Sequence, residues 1–221
     1  MTITLPSYDK RTAIIGSTGS GKSQLAFWLL STRYNPNRIC YIFDFKGETL
    51  VEELEYLGAQ EISVYGGLPT KPGIYILRPI PERDDKAVQE FLWRIWAKGN
   101  CLVWIDEGYM LGNGNPALNA CLTQGRSKRI EMMILSQRPV WMSKFVFSEA
   151  NFFAVMNLTL EDDRKFVSGY VGGNKINLLP KYHSYWYSAD QQKGAILAPV
   201  PNRGELLARF EMMLSKRRKK I

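Results

Sequence analysis

Short apolar runs separated by helical patterns organise the chain. The first run spans 12–15 and leads through a glycine-rich turn into a helix expected over 22–32. A second run at 39–43 ends in Asp44, and brief runs follow at 61–65 and 73–78, too close together to need helices between them. Over 84–98, Val88, Phe91, Leu92, Ile95 and Trp96 recur at three- and four-residue spacing, which predicts a helix with one apolar face, ended by Gly99. Further strands are expected at 101–105, closing on Asp106-Glu107, at 132–135, closing on Ser136-Gln137-Arg138-Pro139, and at 152–156, with a helix near 160–170 behind it. Runs at 183–188 and 195–198 flank a polar turn and predict an antiparallel hairpin. A last helix over 203–216 gathers Leu206, Leu207, Phe210, Met213 and Leu214 on one side, a stripe to pack on the core or to meet a partner.

Strands alternating with helices in this way specify an α/β fold: a mostly parallel sheet flanked by helices, with an antiparallel hairpin near the C-terminus. Four of the expected parallel strands end in polar residues at their carboxyl ends, where open α/β sheets bind ligands. The expected division is a single domain over 1–215 and a basic tail over 216–221, with no internal repeat.

Composition is ordinary for a globular protein of 221 residues, 45% hydrophobic and 23% charged, but the net charge of +8 is not. Such a surplus favours an acidic partner, nucleic acid or an anionic membrane surface, although five of the cations lie together in Lys216–Lys220 and suit a solvated tail equally well. Cys40, Cys101 and Cys121 have no close-pair spacing, and His183 is the single histidine, which argues against a zinc site or a disulfide framework. The N-terminal residues lack the order of a signal peptide, and no apolar stretch is long enough to span a bilayer.

The chemistry concentrates in a few places. Gly16-Ser17-Thr18-Gly19-Ser20-Gly21-Lys22-Ser23 matches G-x-x-x-x-G-K-[ST] in full, between an expected strand and an expected helix. Glycines in such a loop let successive backbone N–H groups face an anion at a positive helix end. Lys22 is placed for the β- and γ-phosphates of a nucleoside triphosphate, and the Ser23 hydroxyl for Mg²⁺. Asp106, at a strand end, suits the metal shell, and Glu107 suits a general base toward an attacking water. That glutamate argues against a small-molecule kinase, and together with Lys22 against a nucleotide-binding switch. Gln137, at the end of the next strand, is placed to contact the γ-phosphate or its water. Asp44 or Lys46 could tune the site or face a neighbouring subunit. Arg126, ahead of Arg129, is the candidate arginine finger toward a neighbour's γ-phosphate, because its planar cation suits a spreading phosphoryl charge. A basic helix end is the plainer account of the same residues.

The P-loop, Asp44-Phe45-Lys46-Gly47-Glu48, Asp106-Glu107, Gln124-Gly125-Arg126 and Ser136-Gln137-Arg138-Pro139, in that order over 10–140, resemble the FtsK–HerA superfamily of ring-forming DNA pumps. Within it, a compact chain is most like the genome-packaging ATPases of internal-membrane double-stranded DNA viruses. The resemblance implies ATP and Mg²⁺ as ligands and a hexameric or pentameric homo-oligomeric ring. It also implies double-stranded DNA as cargo, a viral capsid vertex or membrane proteins as partners, and work in the host cytoplasm or at the packaging vertex. Glycine-rich 111–116, read as a mobile loop, and 139–144, with its aromatic and lysine, are candidates to face a DNA channel or are plain connectors. An ATPase for phage assembly or protein export and a P-loop small-molecule kinase are the alternative readings.

Overall fold

The computed structural model describes residues 4–112, 114–173 and 179–218. Nine strands form one sheet in the order β3-β4-β2-β5-β6-β1-β7-β8-β9. These are β1 (Arg11–Ile15), β2 (Ile39–Phe43), β3 (Gln60–Glu61), β4 (Gly73–Leu77), β5 (Cys101–Ile105), β6 (Ile130–Ser136), β7 (Phe152–Val155), β8 (Ser184–Ser188) and β9 (Lys193–Leu197). The first seven run parallel, and β8 and β9 are antiparallel. The helices are α1 (Lys22–Arg33), α2 (Thr49–Tyr56), α3 (Asp85–Lys98), α4 (Pro116–Gln124), α5 (Lys144–Ser148), α6 (Glu161–Ser168) and α7 (Arg203–Arg218).

Because both sheet faces are covered, the central strands are apolar along their length rather than alternating. One face buries Val88 and Phe91 of α3, Leu118 and Cys121 of α4, Val146 of α5 and Val167 of α6. The other buries Leu25 and Leu29 of α1, Leu50 and Leu54 of α2, and Leu206, Phe210 and Leu214 of α7. The α7 stripe therefore meets the core, where Phe210 packs on Phe27 at 4.5 Å and Phe27 meets the edge of Trp104 at 6.2 Å. All three cysteines are buried, and burial pushes the Cys101 and Cys121 thiols up to about 12.

Several expectations need correction. The run at 61–65 contributes only a two-residue strand at Gln60–Glu61, since the chain leaves the sheet once Ile62 N–H has bonded Ile76 O at 2.8 Å. Helix α2 occupies a stretch for which the pattern predicts no element, burying Leu50, Val51 and Leu54. The glycine-rich connector at 111–116 is shorter than a free loop: Leu111 closes a 3-10 turn (Gly108–Leu111) and Pro116 starts α4, with Asn113 outside the described residues. Asn115 caps α4 by accepting from Leu118 N–H at 3.0 Å. The segment 139–144 is a second 3-10 turn (Pro139–Trp141) running into α5. The tail beyond 218 lies outside the described residues. Among the described residues, no helix is long and apolar enough to cross a membrane.

At the amino edge of the sheet, Glu131 is 1% exposed and joins two arginines. Arg33 Nε donates to it at 2.6 Å and Arg38 Nη1 at 3.0 Å, while Arg38 also donates to Tyr8 O and Cys101 O. Removing one partner of such a cluster strands the others' charge away from water. Glu131→Ala is expected to cost about 3–5 kcal/mol of stability, checked by urea unfolding; a loss under about 1 kcal/mol, the level of an exposed ion pair, contradicts that assignment.

Candidate active site

Strand β1 delivers the chain to the carboxyl edge of the sheet, where residues 16–21 turn into the N-terminus of α1. Gly19 and Gly21 adopt φ of +74° and +99°, conformations that side-chain-bearing residues rarely take. A Cβ at Gly16 would meet Ser20 Oγ at 2.7 Å and Met156 Cβ at 2.8 Å, so the loop's first position admits little but glycine. Lys22 is buried and folds back on the loop, donating to Ser17 O at 3.0 Å. Burial lowers its pKa, which nearby Glu107 partly offsets.

Asp106 and Glu107 leave β5 beside this loop, 2% and 1% exposed. Burial, and then the neighbouring carboxylates Glu107 and Glu48, push the Asp106 carboxyl up to about 7. Asp106 Oδ2 is buried with no hydrogen-bond partner. An orphaned carboxylate oxygen among other carboxylates fits a divalent cation, and the Ser23 hydroxyl lies in the same cluster, donating to Glu48 Oε2 at 2.9 Å. Among the described residues no preformed group of three or more metal-ligating His, Cys, Asp or Glu side chains occurs. Mg²⁺ keeps several waters and is usually held by one or two protein groups plus phosphate, a role the chemistry of Asp106 and Ser23 fits.

Glu107 sits at φ +55°, an uncommon conformation for a residue with a side chain and one that clusters at functional sites. Its Oε1 accepts from Lys46 Nζ and its Oε2 from Gln137 N–H at 3.2 Å. The Gln137 side chain accepts from Thr18 Oγ1 and donates to Tyr109 Oη at 3.3 Å. The P-loop, Glu107 and Gln137 thus form one connected network. The turn after β2 divides the roles of its residues. Buried Asp44 accepts from Lys46 N–H at 3.3 Å and Glu48 N–H at 3.0 Å, shaping a turn that presents Lys46 to Glu107 and Glu48 to Ser23.

Arg126 and Arg129 lie elsewhere. They precede β6, whereas Gln137 follows it, so the seven-residue strand separates them from their own nucleotide edge by roughly 20 Å. Arg126 is exposed and 3.5 Å from Asp9. Arg129 is exposed, and its carbonyl accepts from Arg38. Within one copy of the chain neither reaches the P-loop. Sequence reasoning did not single out Thr18's link to Gln137, or Glu48 and Tyr109. Each depends on contacts between elements distant along the chain.

No protein-family model matches the chain. The DNA packaging ATPase P9 of Enterobacteria phage PRD1 is 41% identical to it over 229 residues, covering 99% of each chain. This chain belongs to that family of packaging ATPases. It is an ATPase. Among solved structures, the genome packaging NTPase B204 of Sulfolobus turreted icosahedral virus 2, in complex with AMP, superposes with a TM-score of 0.68 at 18% identity, covering 89% of this chain and 100% of that one. VirB4 of Thermoanaerobacter pseudethanolicus superposes with a TM-score of 0.67 at 9% identity, covering 89% and 90%. These two likenesses bear on the fold, the P-loop α/β sheet described above.

Glu107→Gln keeps the shape of the side chain while removing the base and turning one of its two accepting oxygens into a donor. The expected outcome is a fall in kcat of about 10²-fold or more with ATP affinity changed by less than about threefold, measured by steady-state hydrolysis and equilibrium titration; unchanged hydrolysis removes Glu107 as the base.

Proposed function

We propose that the chain is an ATP-driven double-stranded DNA translocase that packages a viral genome into a preformed capsid as a homo-oligomeric ring, working in the host cell at the packaging vertex. The observation that carries this reading is the full-length identity to a DNA packaging ATPase. A site that assembles the P-loop, Asp106, Glu107 and Gln137 at one sheet edge supports it.

In the proposed cycle Lys22 exchanges Ser17 O for β- and γ-phosphate oxygens, and the loop N–H groups hold the rest of the triphosphate. Asp106 and Ser23 would hold Mg²⁺, which would supply neutralising charge for the phosphates. Glu107 takes the proton of the water whose oxygen bonds to the γ-phosphorus as the bond to ADP breaks. Gln137, bonded to Thr18 and Tyr109, senses whether the γ-phosphate is present. From there the signal reaches Trp141, which is exposed and packs edge-on against Tyr109 at 5.9 Å. The segments 111–116 and 139–144 both depart from the nucleotide edge, which makes them the proposed route from hydrolysis to DNA. The net charge of +8 suits a channel that holds phosphates without sequence preference.

Arg126, exposed at the opposite sheet edge, acts in a neighbouring subunit's site. Two measurements test the proposal. Steady-state ATP hydrolysis should rise with double-stranded DNA and steeply with protein concentration; indifference to both removes the DNA-pump reading and leaves an ATPase for protein export in its place. Arg126→Ala and Glu107→Gln, each inactive alone, should recover part of the activity when mixed, because a Glu107→Gln subunit still offers its arginine to an intact neighbouring site. No recovery removes Arg126 as the finger.

A further inference from the structure

The residues that face the reacting end of a triphosphate come from β5 and β6, on one side of β1 in the sheet. On the other side of β1, the carboxyl end of β7, the start of β8 and the link from β9 to α7 enclose a cavity of roughly 360 Å³. It shares Gly21 with the phosphate loop and is walled by Gln24, Leu25, Met156, Tyr182, Pro199 and Val200. We infer that this cavity is a purine-binding site, with the base of the nucleotide stacked on Tyr182. The inference rests on the reading of the P-loop as the triphosphate site.

Direction is the first argument. A triphosphate seated over the end of β1 with its γ-phosphate toward Gln137 must carry its nucleoside toward β7 and β8. Three strand spacings, about 14 Å, separate β6 from β8, a span suited to an extended nucleotide. Contact is the second. A Cβ at Gly21 would lie 3.4 Å from Tyr182 Cδ1 and 3.8 Å from Met156 Cε, so the cavity opens directly beside the last residue of the loop. The walls are the third: a thioether, aliphatic side chains, proline and an aromatic ring make an apolar slot of the size small-ligand sites have. Tyr182 is held at φ +64° and half exposed, with the Lys181 ammonium 4.8 Å from its ring centroid, so the ring lines the cavity with part of its surface open to a base. Gln24 Nε2 donates to Pro201 O at 2.7 Å, tying the first turn of α1 to the far wall.

The polar inventory sets the selectivity. Among the described residues no carboxylate lines the cavity to pair with the guanine N1–H and amino group. Asn202, at the rim, is held by Glu205, donating to its carboxylate at 2.6 Å and accepting from its backbone N–H at 3.1 Å. Gln24, Ser184 and Asn202 are the polar side chains of the lining; all three are neutral and each can serve either purine, so the main discriminant is stacking area. ATP and GTP should bind within a few fold of one another, and CTP and UTP distinctly more weakly.

The test is equilibrium binding of ATP, GTP, CTP and inorganic tripolyphosphate, all with Mg²⁺, to the wild type, Tyr182→Ala, Tyr182→Phe and Lys22→Ala. Tyr182→Ala should weaken ATP and GTP about tenfold, leave tripolyphosphate unchanged and bring ATP and CTP close together, and Tyr182→Phe should restore purine binding. Unchanged ATP affinity in Tyr182→Ala overturns the site. So does an equal loss of tripolyphosphate, which would mark Tyr182 as a support of the loop alone. A Lys22→Ala protein that still holds tripolyphosphate as the wild type does points to failure of the P-loop reading itself.

Discussion

Four carboxylates, Asp44, Glu48, Asp106 and Glu107, crowd the carboxyl ends of β2 and β5, and Asp44, Asp106 and Glu107 are almost wholly buried. Gathering that much negative charge away from water is costly unless cations answer it. The chain supplies Lys22, Lys46 and, behind Asp44, Arg78, which lies 3.4 Å from Asp44 Oδ2. The balance is incomplete, because Asp106 keeps an unpartnered oxygen and a carboxyl pushed up to about 7. An edge built with this deficit can be answered by a proton or by a divalent cation, and in the proposed function the nucleotide arrives with the cation. The left-handed backbone at Glu107, the folded-back Lys22 and the Ser23–Glu48 hydrogen bond are arrangements of the same groups around that deficit.

The sheet order distributes the work. With β1 in the middle, strands β5 and β6 contribute the proposed base and γ-phosphate sensor on one side, and β7 and β8 contribute the apolar cavity on the other. Chain order and spatial order differ, since the loop after β1 meets those after β5 and β6 only once α1, β2 to β4, α2, α3 and β5 have been threaded between them. The opposite sheet edge holds the Arg33–Glu131–Arg38 cluster and the exposed Arg126, which lies 3.5 Å from Asp9.

Much of this was legible before any coordinates. Apolar runs buried on both faces give a strong signal, so the central strands fall where the pattern places them, and glycines confined to a strand–turn–helix context locate the phosphate loop. Helix α2, the start of α4 and the five-residue α5 give weaker signals, for different reasons. Leu50, Val51 and Leu54 make too short a period to separate from a turn. Asn115-Pro116 is a legible helix start that the preceding glycines obscured. Within the site, the positions of Asp106, Glu107 and Gln137 could be read because they end strands. The pairing of Lys46 with Glu107, the Thr18–Gln137–Tyr109 chain and the Tyr182 cavity could not, because they depend on which strands lie side by side.

The most direct test of the central claim is a crystal structure of the protein with Mg²⁺ and a non-hydrolysable ATP analogue. The account predicts a metal ion bound by Asp106 and Ser23, directly or through water. Lys22 should have moved from Ser17 O to the phosphates, and Glu107 and Gln137 should flank the γ-phosphate. A metal bound away from Asp106, or a triphosphate seated outside residues 16–23, would contradict it.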